Sequence, residues 1–260
     1  MGMEGISMFK IRLCAITIFF SVFLVSNIHA DWEPYPYLSS TYDQKINGQL
    51  VARWFGVPQY GQPTNYTCGA TTTSMQLVWE THKKGNALKY DPLGIHNYIN
   101  TTGGSTSGLT TDELKAGQKK LVDYINNTTN LGIRVTMTER KDSSIKNAIS
   151  TLATTMAVNF SPAILYGNVK YAPAGGHYLL ATGMIFCPQG TCSSEVVGLF
   201  INDSAYNSPA YSASHPVRQF ALSTRKYLSQ NELESYWKPT GSSFPWMRGH
   251  MYLYNSSPRV

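Results

Sequence analysis

Three residues of this 260-residue chain have the types and surroundings for acyl-transfer chemistry: Cys68, His177 and Asp203. Cys68 sits in QPTNYTCGA, where a glutamine-led loop gives way to small, helix-compatible residues. A thiol attacks a carbonyl only as thiolate, and it then needs a proton carrier and donors for the oxyanion. At a helix N-terminus the positive end of the backbone dipole favours the thiolate, and the spacing after Cys68 predicts such a helix. Gly69, with no Cβ, leaves room for a substrate carbonyl to come close. Taken alone, Cys68 remains open to two other readings, an inert buried thiol or half of a disulfide.

The base should lie outside that helix. His82 falls on the helix itself, His96 follows a Pro-Gly loop, His215 precedes a proline, and His250 lies beside the last predicted strand. His177 in GGHYLLATG opens an apolar strand after Pro173-Ala174-Gly175-Gly176, and glycines there, Gly176 above all, would admit substrate backbone. Asp203 ends a second apolar strand, and Asn202 precedes it as the rival for the same role. If 177–186 and 196–203 form a hairpin, the start of the first strand faces the end of the second. His177 and Asp203 then meet at one edge, where a carboxylate can orient the imidazole and stabilise its charged form. Gly69, Gly176 and Asn202 are the residues expected to border the substrate.

The compartment follows from the N-terminus and the cysteines. Lys10 and Arg12 precede an apolar run from Leu13 to Val25, and Ala30 supplies a small residue for cleavage, which is a secretory signal pattern over 1–30. No second apolar run long enough for a membrane span follows. Without those residues the chain keeps 19 basic and 14 acidic side chains, a net +5, scattered without the dense cluster that nucleic-acid binding uses. Cys14 leaves with the signal. CPQGTC at 187–192 carries a Pro and a Gly that could turn the chain, so a Cys187–Cys192 disulfide is expected in an oxidising compartment, although the alternative pairings remain open. Cys68 is then the odd thiol. Two thiols without neighbouring His or Cys fall short of a tetrahedral set, and neither a metal nor a cofactor is expected.

The elements needed to position these residues read as follows. Residues 31–56 look like an extended arm, with a short strand beginning near Gln49, and 57–260 form one domain. Helices are expected over 68–84, with Thr71, Met75, Val78, Trp79 and His82 on one face, and over 143–157. A third begins at Thr110, where Thr110-Thr111-Asp112-Glu113 has capping-box spacing. Strands are expected at 132–138, 162–166, 177–186, 196–201 and 251–254, with a late helix at 229–237. Helices first and antiparallel strands later make an α+β fold.

These residues together resemble the papain-like cysteine peptidases of the bacteriocin-leader-processing (double-glycine peptidase) family, in a stand-alone secreted form. The resemblance runs from about Val57 to Trp237. It rests on Gln62 six residues before Cys68-Gly69, on Gly176-His177-Tyr178, and on Asn202-Asp203 after an apolar strand. It implies a papain-like fold, Cys68 as nucleophile, His177 as base and acid, Asp203 as orienter, and Gln62 as side-chain donor to the oxyanion. Ala70 departs from the proline many relatives carry there. The expected function is a secreted or periplasmic peptidase acting on a peptide or protein. A cysteine amidase or peptidoglycan peptidase acting as a toxin, and a silent binding module, are the alternatives. Seven Asn-x-Ser/Thr sequons occur, among them Asn65 and Asn202 beside the expected site, where a glycan would obstruct substrate. A bacterial envelope or secreted protein is therefore favoured. Nothing in the sequence sets an oligomeric state.

Overall fold

The computed structural model describes residues 30–32, 42–46, 48–82, 88–100, 108–129, 132, 134–142, 144–167, 176–186, 195–223, 226–236 and 248–255. The apolar run of the signal pattern, the expected Cys187–Cys192 pair and most of the glycine loop before His177 lie outside them. In chain order the elements are β1 (Ala30–Trp32), β2 (Tyr42–Ile46), β3 (Gln49–Trp54), α1 (Cys68–His82), β4 (Leu88–Tyr90), α2 (Pro92–Ile99), α3 (Thr111–Thr128), β5 (Val135–Asp142), α4 (Ile145–Asn159), β6 (Ala163–Gly167), β7 (His177–Phe186), β8 (Val196–Asp203), α5 (Pro216–Phe220), β9 (Lys226–Ser229), α6 (Gln230–Tyr236) and β10 (Arg248–Asn255). The fold is α+β, with an antiparallel sheet packed against helices. Among the described residues, no helix is long and apolar enough to cross a membrane.

β7 is the strand on which the sheet turns. Eight of its ten residues are buried, the near-continuous pattern of a strand covered on both faces. Its first half pairs with β6, from Gly167↔His177 to Ala163↔Ala181, and its second half with β3, from Trp54↔Gly183 to Ala52↔Ile185. A strand has two edges, so β6 and β3 share one of them in succession, and β8 takes the other along most of its length. The handover falls at Gly183. A Cβ there would lie 2.5 Å from the Arg53 carbonyl oxygen and 2.6 Å from the Trp54 Cβ, so only glycine lets β3 close on β7. β10 extends the sheet between β6 and β5, and β9 pairs with β8.

Within the segment expected as an extended arm, residues 42–46 are part of this sheet, and the strand expected near Gln49 is β3. β2 and β3 form a hairpin, and β3 joins β7. Gly48, at φ +78°, makes the turn between them. The arm reading thus does not describe residues 42–46, which pair with the strand expected near Gln49.

Helix α1 also differs in kind from the one-faced helix that periodicity suggests. Every residue from Cys68 to Thr81 is buried. Its polar side chains are tolerated there because each finds a partner inside. The Thr71, Thr72, Thr73 and Thr81 hydroxyls donate to carbonyls three or four residues earlier, at 2.8–3.0 Å for the i−4 bonds. Ser74 donates to the Tyr90 carbonyl, Gln76 to that of Pro162 at 2.9 Å, and the Trp79 indole to that of Phe160 at 2.9 Å. α1 is therefore wedged between the sheet and the pair α2 and α3. A helix so enclosed can present its first residue at a fixed point.

α3 begins as its sequence predicts. The Thr110 hydroxyl accepts from the Glu113 backbone, and the Glu113 carboxylate accepts from the Thr110 N–H at 2.8 Å. α2 packs against α3 where Gly117 faces Ile99; a Cβ on Gly117 would sit 2.0 Å from Ile99 Cγ2. Gly117→Ala adds up to about 1 kcal/mol of helix propensity. The clash should nevertheless leave it less stable by about 1–3 kcal/mol, read as a lower urea midpoint at unchanged slope. Adding Ile99→Ala removes two of the clashing carbons, and the double variant should be less destabilised than the two singles combined.

Candidate active site

Cys68 is the first residue of α1, and the Thr71 N–H already closes the first helical turn on the Thr67 carbonyl at 2.8 Å. The thiol therefore stands at the positive end of a long, enclosed helix. The turn before it is held locally: the Thr67 hydroxyl donates to the Thr64 carbonyl at 3.1 Å and accepts from the Thr64 N–H at 3.2 Å.

His177 and Asp203 reach each other through strand register. Leu179 is paired with Asp203 across β7 and β8, and His177 lies two residues from Leu179 on the same face. The outcome is a His177 Nε2 to Asp203 Oδ1 distance of 2.8 Å. Asp203 has no solvent exposure. Two further donors converge on its carboxylate: the Ala205 N–H on Oδ1 at 2.9 Å and the Leu222 N–H on Oδ2 at 3.0 Å. Such a donor set suits an anionic carboxylate. Its backbone carbonyl accepts from Gln59 Nε2 at 2.6 Å, which ties the strand end to the loop that leads toward Cys68.

With Nε2 engaged by Asp203, Nδ1 is the ring nitrogen left for the sulfur, and Cys68 and His177 share a side-chain hydrogen bond. Burial on its own would push the thiol up. The hydrogen bond and charge of His177 outweigh it, aided by the backbone N–H groups of Tyr178 and Gly69, and the thiol sits below its ordinary value. Burial on its own would push the imidazole down. The Asp203 charge and hydrogen bond, reinforced by Cys68, outweigh that and raise His177 to about 10. Both shifts favour thiolate and imidazolium together. The sulfur residue is 7% exposed and the histidine 6%, so the pair meets solvent along one narrow face.

The other sequence-derived positions fall around this pair in different ways. Gly69 is buried, and the space where its Cβ would stand is bounded by the Tyr178 ring at 3.1 Å and by Leu114 at 3.3 Å, so its smallness lets α1 settle against β7. Gly176 stands against Tyr166, whose hydroxyl would be 2.3 Å from a Cβ there. Asn202 is fully buried, and its amide donates to the Val57 and Pro58 carbonyls at 3.4 Å each. Strand alternation turns it away from His177, and Asp203 is the neighbour that meets the ring. A glycan cannot reach so enclosed an asparagine; Asn65, the other sequon beside the site, is exposed.

Gln62 is 1% exposed and gripped at both ends of its amide. Oε1 accepts from the Ser204 hydroxyl at 3.1 Å, while Nε2 donates to the Thr64 carbonyl at 2.8 Å and to the Tyr211 hydroxyl at 3.4 Å. Ser204, Ser208, Tyr211 and Gln59 did not stand out in the sequence. A run of hydroxyl-bearing, turn-forming residues directly after Asp203 is the one local signal that the chain folds back there. The Tyr178 hydroxyl donates to the Leu109 carbonyl at 3.2 Å, fixing the loop before α3 beside the site. A surface groove of about 440 Å3, lined by Ala153, Thr154, Phe186 and Val196 among others, lies at the other ends of β7 and β8. That is roughly 30 Å from His177.

Neither a protein-family model nor a curated protein matches this chain. Among solved structures it is similar to UfSP from C. elegans, at 14% identity and a TM-score of 0.42 over 89% of its own length. The chain spans 38% of that structure's length.

The two shifts set a pH profile. Thiolate exists above the thiol's lowered pKa and imidazolium below that of His177, so the reactive pair persists between the two. Alkylation of Cys68 by iodoacetamide should hold a plateau that starts well below the ordinary thiol range of about 8.5. It should change only as the pH approaches about 10, where His177 loses its proton. Asp203→Asn removes the charge that holds the imidazole up, so its upper limb should move to lower pH. An unmoved limb in that variant would show that Asp203 does not set the charge state of the ring.

Proposed function

We propose that this chain is a papain-like cysteine peptidase acting outside the cytoplasm. The observation that supports it most is the His177 Nε2–Asp203 Oδ1 contact of 2.8 Å, which leaves the other ring nitrogen for a thiol at a helix N-terminus. The resemblance in the order and context of Gln62, Cys68-Gly69, Gly176-His177-Tyr178 and Asn202-Asp203 agrees with it.

In the reaction the Cys68 thiolate adds to a peptide carbonyl carbon, and the carbonyl electron pair moves to oxygen. The oxyanion is received by the Cys68 backbone N–H and by the Gln62 amide, whose second hydrogen, held in the free site only by the 3.4 Å contact to the Tyr211 hydroxyl, turns to it. The C–N bond then breaks as His177 passes its proton to the departing amine, leaving a thioester on Cys68. His177, now neutral, takes a proton from water as the water adds to the thioester, and collapse releases the acid and restores the thiolate. Asp203 holds the ring orientation through both transfers and does not take up the proton. No metal or cofactor is required by any step.

The test uses the mature chain, wild type beside Cys68→Ala and His177→Ala, incubated with a peptide library and, separately, with purified peptidoglycan, products being read by mass spectrometry. The wild type should cut peptides, and Cys68→Ala should lose that cleavage by at least about 10³-fold. His177→Ala should fall comparably, because nucleophile and base act as a unit. Release of products from peptidoglycan alone would replace the peptidase by an envelope amidase. No wild-type cleavage of either would leave a binding module.

A further inference from the structure

The segment that follows Asp203 returns over Gln62 and builds part of the site. The Gln62 N–H donates to the Ser204 carbonyl at 2.7 Å, and the Ser208 hydroxyl donates to the Gln62 carbonyl at 2.6 Å. Gly61 permits this approach; a Cβ there would be 2.7 Å from the Asn207 carbonyl oxygen. Main chain and side chain of Gln62 are thus both fixed by residues 204–211. The last of them, Tyr211, places its hydroxyl 3.4 Å from Gln62 Nε2.

Tyr211 is itself held from its far side. Its ring packs on that of His215 with centroids 4.8 Å apart and planes at 31°. Its carbonyl accepts from Arg218 Nη1 at 3.1 Å. The hydroxyl accepts from Gln62, and among the described residues its own proton has no acceptor. We propose that Tyr211 is a further catalytic residue, whose hydroxyl donates to the substrate carbonyl oxygen as that atom becomes an oxyanion, alongside the Gln62 amide. Two features carry this. The hydroxyl abuts the amide nitrogen that would face the same oxygen, and among the described residues its proton is uncommitted. Burial, followed by the charges of Cys68 and Asp203, raises the phenol, so the proton stays in place across the working range of the thiolate.

The inference rests on the peptidase reading, and the experiment separates the two. Tyr211→Phe keeps the ring against His215 and removes only the donor. Two reagents are compared on the mature protein. Iodoacetamide alkylates the thiolate without forming an oxyanion. N-acetyl dipeptide aldehydes add to it and generate one, and their binding is read as protection of Cys68 from alkylation. The expected result is an unchanged alkylation rate and pH profile with aldehyde binding weakened about 10- to 100-fold, below the 10²–10³ typical of a lone oxyanion donor because others remain. Aldehyde binding that Tyr211→Phe leaves intact overturns this proposal and spares the peptidase. Alkylation that falls in step with aldehyde binding also overturns it, reducing Tyr211 to a brace. A wild type that alkylates normally yet binds no aldehyde overturns both.

Discussion

A carboxylate with no solvent exposure lies at the base of this site, and the surrounding structure is arranged to make it bearable. Removing an ion from water costs several kcal/mol even after relaxation. Asp203 meets that cost with an imidazole, two backbone N–H groups and no solvent. The same field that stabilises the acid raises His177 and, through it, lowers Cys68. One buried charge therefore orders the titration of two other groups. A single uncompensated member would reverse the balance, because burial by itself opposes charge on both the thiol and the ring.

Holding that charge in place requires rigidity from two directions. The strand pair β7 and β8 delivers His177 and Asp203 to one face through register, which a slip of one residue would undo by turning every side chain over. Helix α1 delivers the sulfur, and its enclosure on all sides fixes the helix along its axis. The buried threonines of α1 are the price of that enclosure, and each is answered by a carbonyl one turn back along the chain. Gly69 and Gly183 are the contact points at which these parts are allowed to touch.

Much of this was legible wherever the signal was local. The α3 capping box, the α4 stretch, the paired apolar strands and the helix start at Cys68 depend on neighbouring residues and fall close to where the sequence puts them. Even the meeting of His177 with Asp203 could be argued, since an antiparallel hairpin converts distance along the chain into adjacency. The full burial of α1 could not, because its small hydroxyl residues look polar until their back-bonding is seen. α2 carried an unused signal: Asp91 before Pro92 is a helix start, and its carboxylate accepts from the Gly94 N–H at 2.7 Å. The β2–β3 hairpin and the fold-back onto Gln62 depend on partners far along the chain, and no periodicity records those.

The fold-back has a bearing on timing. Cys68 emerges early in the chain, while His177 lies more than a hundred positions later and the clamp on Gln62 later still. Until β8 and the following turn have closed, the thiol has neither imidazolium nor carboxylate beside it and behaves as an ordinary cysteine. Reactivity is thus switched on by completion of the second half of the molecule. A chain threaded unfolded through a translocation channel would carry a Cys68 thiol no more reactive than any other until it folds.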